Sequence, residues 1–234
     1  MWQWQWKSLR PHRPKKSREK LEAERMKKVQ SYIDEGVLKT PELIEVFRRV
    51  PREDFVPEDY RDYTYREAPL PLPALEGTIS CPHSYPMFYE AMELRRGDYF
   101  LEIGTGSGYG AALAREIVGE EGRVISLEID RSAYDFARGN LSRLGYSDIV
   151  LIRGDGYLGY EPEAPYDKIS ITAAVPDMPE TFLDQLKDDG LAVAPIGPID
   201  NQKLMLIHKD GSMEMISESA VFVPMVGRYR HRGY

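Results

Sequence analysis

Five short apolar runs dominate the second half of the chain, and the first of them ends in a glycine-rich turn. The runs are Tyr99-Phe100-Leu101-Glu102-Ile103 and residues 123–128, 149–153, 168–172 and 191–196. Helix-length stretches separate the first three, at 110–118 and 131–144, and another at 179–186 precedes the fifth. Strands alternating with helices predict right-handed crossovers and a parallel sheet covered on both faces. The tail has a different texture. Residues 203–208 and 220–224 flank the turn-like Lys209-Asp210-Gly211-Ser212, which predicts an antiparallel pair closing one edge of the sheet.

Upstream of this unit the pattern is helical and then irregular. Residues 17–34 read as a charged amphipathic helix with a weak apolar stripe of Leu21, Met26, Val29 and Ile33, stopped by Gly36. Thr40-Pro41-Glu42 reads as a cap and a helix-start proline, opening a helix that ends near Pro51. Residues 57–73, rich in Pro, Tyr and acids, read as an ordered segment wrapping the domain. At 234 residues with a net charge of -7, the chain suits one well-buried domain. The charge is uneven. Residues 1–28 hold ten Lys/Arg and three Glu, whereas the remainder holds 21 Lys/Arg and 35 Asp/Glu. A basic arm of this kind could contact nucleic acid or another acidic partner or be a solvated leader, whereas the acidic body argues against extensive nucleic-acid binding, which needs a basic face. Trp2, Trp4 and Trp6 alternate within that arm, as a strand-like edge, a membrane-surface contact or a patch packed on the protein. No apolar run reaches the roughly 20 residues of a membrane helix, and the N-terminus lacks a secretory signal's apolar stretch. Cys81 is the only cysteine, so a reducing, cytoplasmic setting is expected.

The turn itself is Gly104-Thr105-Gly106-Ser107-Gly108, directly after Leu101-Glu102-Ile103. Glycines allow a tight turn and let backbone approach a ligand at the following helix N-terminus. The pattern alone also satisfies a dinucleotide fingerprint, through Gly106, Gly108 and Ala111. Glu102 favours a different ligand, because a carboxylate before the first glycine suits a cationic cofactor and not a pyrophosphate. Glu128, followed by Ile129, closes the second strand, where an acid accepts from ribose hydroxyls. Asp130 reads as a helix cap. Asp155, followed by Gly156 after the third strand, is placed to accept from an adenine amino group. Together the three acids predict S-adenosylmethionine as the cofactor.

Several segments then resemble the protein-L-isoaspartate O-methyltransferases: Thr78-Ile79-Ser80-Cys81-Pro82-His83, the run 101–109, and Gly154-Asp155-Gly156. The likeness extends to residues 50–57, 164–167, 172–176, 185–187 and 222–224, covering about 29–227 in order. It implies a Rossmann-like, class I S-adenosylmethionine-dependent methyltransferase fold. The sheet would be mostly parallel and seven-stranded, with helices on both faces and an antiparallel C-terminal edge. It implies methyl transfer to the free carboxylate of L-isoaspartyl residues in damaged proteins or peptides, with S-adenosylhomocysteine as the second product and no metal. The methyl ester then collapses to a succinimide that hydrolyses partly to normal aspartate.

By the same resemblance Ser80 matches the active-site serine. Thr78, Ser80 and His83 bind the acceptor. Thr78, Ile79, Ser80, Glu102, Gly104, Thr105, Gly106, Gly108, Glu128, Ile129, Asp155 and Gly156 form the cofactor site. Ser80 could instead support a turn before Pro82, and His83 could be a structural hydrogen-bonder; Cys81 shows no sign of a nucleophile. One run departs from the family pattern: in 70–78, Gly77 stands where a glutamine is expected and one extra residue is present. That departure bears on the acceptor. The alternatives are therefore methylation of RNA or of a dedicated protein or peptide, or a non-catalytic cofactor-binding adaptor. The expected organisation is a basic and disordered arm at 1–28, a helical and irregular cap at 29–77 and a methyltransferase core at 78–234, in a monomeric chain.

Overall fold

In the computed structural model, residues 9–74 and 77–227 are described. Buried apolar side chains on β3 (Tyr99–Ile103) and β4 (Arg123–Glu128) leave only the first residue of each strand exposed. Strands apolar on both faces belong in the interior of a parallel sheet. β5 (Val150–Arg153), β6 (Tyr166–Ile171) and β7 (Leu186–Ile196) complete its parallel part, and β8 (Gln202–His208) and β9 (Met213–Ala220) add the antiparallel edge. The order is β5-β4-β3-β6-β7-β8-β9. β3 pairs in parallel with β4 on one side and β6 on the other, so the strand order reverses at β3. Ligand crevices in such sheets open beyond the carboxyl ends of the strands at this point.

The pleat divides the sheet between two cores. Phe100, Val124, Val193 and Leu204 face a cluster built with α1 (Arg18–Asp34), α2 (Pro41–Arg49), α3 (Ser84–Ala91), α4 (Tyr109–Val118) and Leu141 of α5 (Arg131–Arg143). Leu101, Ile103, Ile125, Ile169 and Ala192 face the other, closed by α6 (Glu180–Asp184) through Phe182 and by Tyr160 and Met178. No helix among the described residues is long and apolar enough to cross a membrane.

Several boundaries differ from the sequence expectation. The hairpin after Ser212 uses β9, not residues 220–224. β9 is the sheet's outer strand, mostly exposed and polar, so it carries no apolar run to announce it. Pro224 makes only an isolated bridge to Ala174. β7 begins five residues earlier than expected, as Leu186 pairs with Tyr166 across a register shift. α3 was not expected at all: Pro86 lies in its first turn, and Ser84, Pro86, Phe88 and Tyr89 are all buried, which hides any amphipathic period. The buried stripe of α1 is Leu21, Arg25, Val29 and Tyr32, while Met26 is exposed. Arg25 is admitted because its guanidinium meets Glu53 at 2.8 Å and the Arg48 carbonyl at 2.9 Å.

Thr40 precedes α2 as expected, but no cap bond forms; its hydroxyl donates to Glu90. The boundary expected after residue 28 falls inside α1, and the one after 77 cuts the ladder of β1 (Leu70–Pro71) with β2 (Thr78–Ile79). Residues 9–16 pack on the body: Leu9 is buried with Leu70 and Ile79, and the Lys15 and Lys16 N–H groups donate to Asp62. The tryptophans of the arm lie outside the described residues.

Phe100 is fully buried on β3, with its ring edge-on to Tyr89 at 6.0 Å. Phe100→Ala should cost about 3–5 kcal/mol, read as a lower urea midpoint at unchanged slope.

Candidate active site

Beyond Ile103 the chain must reverse sharply while still touching the neighbouring strands. The Gly104 and Thr105 N–H groups both donate to the Leu127 carbonyl at the end of β4. Gly104 takes φ +93, and a Cβ there would meet the Thr172 hydroxyl at 2.4 Å. Thr172, directly after β6, donates its N–H to the Ile103 carbonyl and shares its hydroxyl proton between the Ile103 and Gly104 carbonyls. The turn is thus clamped from both sides, and only glycine fits its first position. Gly108, at φ +85, forms the N-cap of α4.

Two acids on adjacent strands organise the turn. Glu128 accepts the Gly106 N–H on one oxygen and the Asp130 N–H on the other, both at 2.9 Å. Asp130 in turn caps α5 through the Ala133 N–H, as its spacing predicts. Burial raises the Glu128 pKa against the lowering effect of those N–H donors. Glu102 is 2% exposed and accepts from Ser126 at 2.6 Å. The single Ser126 proton is then committed, so the Thr105 hydroxyl donates to Ser126 at 2.6 Å. Burial pushes the Glu102 carboxyl up to about 8; the Ser126 hydrogen bond opposes the shift and the Glu128 charge adds to it.

These groups open into a cavity of about 1070 Å³. Its lining includes Thr78, Ile79, Ser80 and His83 as well as Glu102, Gly104, Thr105, Gly106, Glu128, Ile129 and Gly156. One enclosure therefore brings together the glycine turn and the 78–83 segment. Gly108 lies one residue beyond the lining, at the helix start. Asp155 does not belong to the lining. Its carboxylate caps the turn at Gly156–Leu158 by accepting the Tyr157 N–H, and it lies against Gly227. That bond occupies one carboxylate oxygen and holds the strand-end turn from which Gly156 reaches the wall. Among the described residues, no group of three or more His, Cys, Asp or Glu could hold a metal.

Ser80 follows β2, with its hydroxyl unpartnered among the described residues and its carbonyl accepting from Arg52 at 2.7 Å. Arg52 is 1% exposed, donates also to the Thr64 carbonyl, and lies 5.5 and 5.4 Å from the Tyr85 and Tyr109 ring centroids. Burial pushes the neighbouring Cys81 thiol up to about 11, with the Glu67 charge adding to the effect, so a thiolate nucleophile is disfavoured. The sequence assigned no role to Arg52, Glu67, Tyr85 or Thr172. Arg52 and Thr172 lie in segments that carry the family resemblance, but residue type alone does not tell a wall or a clamp from a core position. Residues 219–227 also line the cavity, beyond the hairpin that carries them there. Of the departing loop, residues 75–76 lie outside the described residues, whereas Ala74 and Gly77 line the cavity and the Gly77 carbonyl accepts the Leu72 N–H.

The Glu102 shift has a consequence for stability. In the unfolded chain this carboxyl titrates near 4.5, so at intermediate pH the folded protein retains a proton that the unfolded chain has released. The associated stability is complete below about pH 4.5 and is lost as pH rises through about 8. Glu102→Gln removes this dependence, so its stability relative to the parent should be higher at pH 9 than at pH 5 in paired urea titrations. Equal differences at the two pH values would refute the assignment.

Comparison with known proteins places this geometry in context. The family model described as protein-L-isoaspartate(D-aspartate) O-methyltransferase matches residues 23–230. Protein-L-isoaspartate O-methyltransferase 1 of Archaeoglobus fulgidus is 48% identical over 186 residues, covering 79% of this chain and 85% of the relative. The protein-L-isoaspartate O-methyltransferase of Methanopyrus kandleri is 42% identical over 217 residues, covering 91% and 92% respectively. A solved protein-L-isoaspartate O-methyltransferase superposes with a TM-score of 0.76 at 32% identity, over 87% of this chain and 66% of that one. A Plasmodium falciparum structure in complex with S-adenosyl-L-homocysteine shares the fold, with a TM-score of 0.75 at 21% identity over 86% of this chain and 98% of that one. The chain belongs to the protein-L-isoaspartate(D-aspartate) O-methyltransferase family.

Proposed function

We propose that the chain transfers a methyl group from S-adenosylmethionine to the free carboxylate of L-isoaspartyl residues in damaged proteins or peptides. The observation that carries this reading is the shared cavity, which joins the turn at residues 102–107 to Ser80 and His83. The donor set fits the cofactor. The glycine turn offers backbone at close range, Glu102 offers a carboxyl beside it, and Glu128 keeps acceptor capacity, because each oxygen already bonded to one N–H has a second lone pair. When bound, S-adenosylmethionine supplies a methyl group activated by its positive sulfur.

What remains for the protein is placement. An acceptor carboxylate has a reference pKa of about 4 and is already ionised near neutrality, so no side chain need remove a proton. The Ser80 hydroxyl is free to donate to one carboxylate oxygen and hold it in line for attack. Arg52 fixes the Ser80 backbone from behind, while Thr78 and His83 shape the pocket around the acceptor. Ile79, buried at 1% exposure, anchors the segment in the small core beneath. Asp155 acts through the turn that presents Gly156. A monomeric chain in the cytoplasm, acting on isoaspartyl proteins and not on nucleic acid or membranes, completes the proposal.

Incubation with labelled cofactor should methylate an isoaspartyl peptide and leave the matched aspartyl peptide unlabelled. Failure to label the first, with normal cofactor binding, would overturn the acceptor assignment. Ser80→Ala should lower turnover at least tenfold while changing the cofactor dissociation constant far less, the loss of one hydrogen bond made chiefly to the reacting group. Glu128→Ala should weaken cofactor binding about tenfold or more in calorimetric titration, by losing ribose contacts and loosening Gly106.

A further inference from the structure

The acceptor end of the cavity contains an acid–imidazole pair, of which the mechanism above uses only the imidazole, as pocket wall. Glu67 and His83 both line it, and His83 Nδ1 lies 2.5 Å from Glu67 Oε2. The other Glu67 oxygen accepts the Tyr32 hydroxyl at 2.6 Å and meets Lys28 at 3.3 Å. Tyr32 and Lys28 come from α1, so the carboxylate is held from outside the cavity before it meets the imidazole. His83 Nε2 has no partner among the described residues.

We infer that Glu67 is a positioning residue that fixes His83 in the Nδ1–H form, so that Nε2 is presented to the backbone of the bound peptide. The ionisation state of Glu67 makes the direction of the bond definite. A carboxylate is ionised near neutrality, and the Tyr32 hydroxyl and Lys28 ammonium on its other oxygen hold Glu67 in that form. An ionised carboxylate only accepts, so the proton of the short contact belongs to Nδ1. An imidazole whose one nitrogen is held by a carboxylate has both its ring orientation and its tautomer set by that partner. Free histidine favours the other tautomer, so an unrestrained His83 would turn a different face and a different hydrogen-bonding character toward the acceptor. The pair would therefore contribute to peptide binding and leave cofactor binding and methyl transfer largely alone.

This inference rests on the cavity being the acceptor site, and its test separates the two claims. Long-range nitrogen–proton correlation spectra of the unmutated protein, assigned through the loss of signals in His83→Gln, should show His83 protonated at Nδ1. A predominantly Nε2-protonated ring would overturn the inference whatever the activity. In Glu67→Ala, which removes the acceptor, the Nδ1–H signature should be lost, and KM for an isoaspartyl peptide should rise about tenfold, the loss of one net hydrogen bond. The turnover number and cofactor affinity should stay within about twofold. His83→Gln should raise KM similarly, and the double variant no further, as expected of residues acting as one unit. Additive effects, or a fall confined to turnover, would contradict the assignment. Should no isoaspartyl peptide be methylated while the Nδ1–H form is observed, the acceptor reading fails and the pair's geometry stands.

Discussion

The Glu128 carboxylate holds the site together. One oxygen fixes Gly106 in the middle of the glycine turn and the other fixes Asp130 at the start of α5. Neighbouring parallel strands thereby end in a shared, rigid rim. The carboxylate must be buried to do this, and backbone donors offset part of the cost of burial. Its neighbour Glu102 has one hydroxyl donor and no cationic partner among the described residues, so burial drives it toward the neutral form. A rim with one acid braced by backbone and another poised between ionisation states is suited to a ligand that brings positive charge.

The acceptor side is built differently, from buried charge and aromatic faces. Arg52 lies alongside the edge-to-face pair of Tyr85 and Tyr109 and reaches the Ser80 carbonyl. Its Nη1 has no hydrogen-bond partner among the described residues. A guanidinium tolerates such a place better than an ammonium because it is planar, weakly hydrated and able to stack. Holding Ser80 by its carbonyl leaves the hydroxyl available. The two halves of the cavity thus rest on different physics: hydrogen bonds to backbone at the cofactor turn, and a stacked cation beneath the acceptor loop.

Much of this was legible in the chain, and the reasons for the exceptions are physical. The parallel core announces itself because buried strands must be apolar on both faces, as in Phe100, Leu101 and Ile103. The glycine turn is equally visible, since Gly104 has no substitute beside Thr172. β9 was hidden by its exposure and α3 by its burial, each lacking the one-sided pattern that sequence reading relies on. Asp155 stands after the third parallel strand as its position in the chain suggests, and its side chain also caps the turn that follows. Glu67 and Arg52 were unreadable as site residues because their partners lie 16 and 28 positions away.

The central claim is that one cavity receives both the cofactor on the glycine turn and the isoaspartyl carboxylate at Ser80. It is tested most directly by a crystal structure of the protein with S-adenosylhomocysteine and an isoaspartyl peptide. The account predicts ribose hydroxyls on Glu128 and the free carboxylate within hydrogen-bonding distance of the Ser80 hydroxyl, with one oxygen facing the sulfur. A peptide bound elsewhere, or a cofactor whose ribose avoids Glu128, would contradict it.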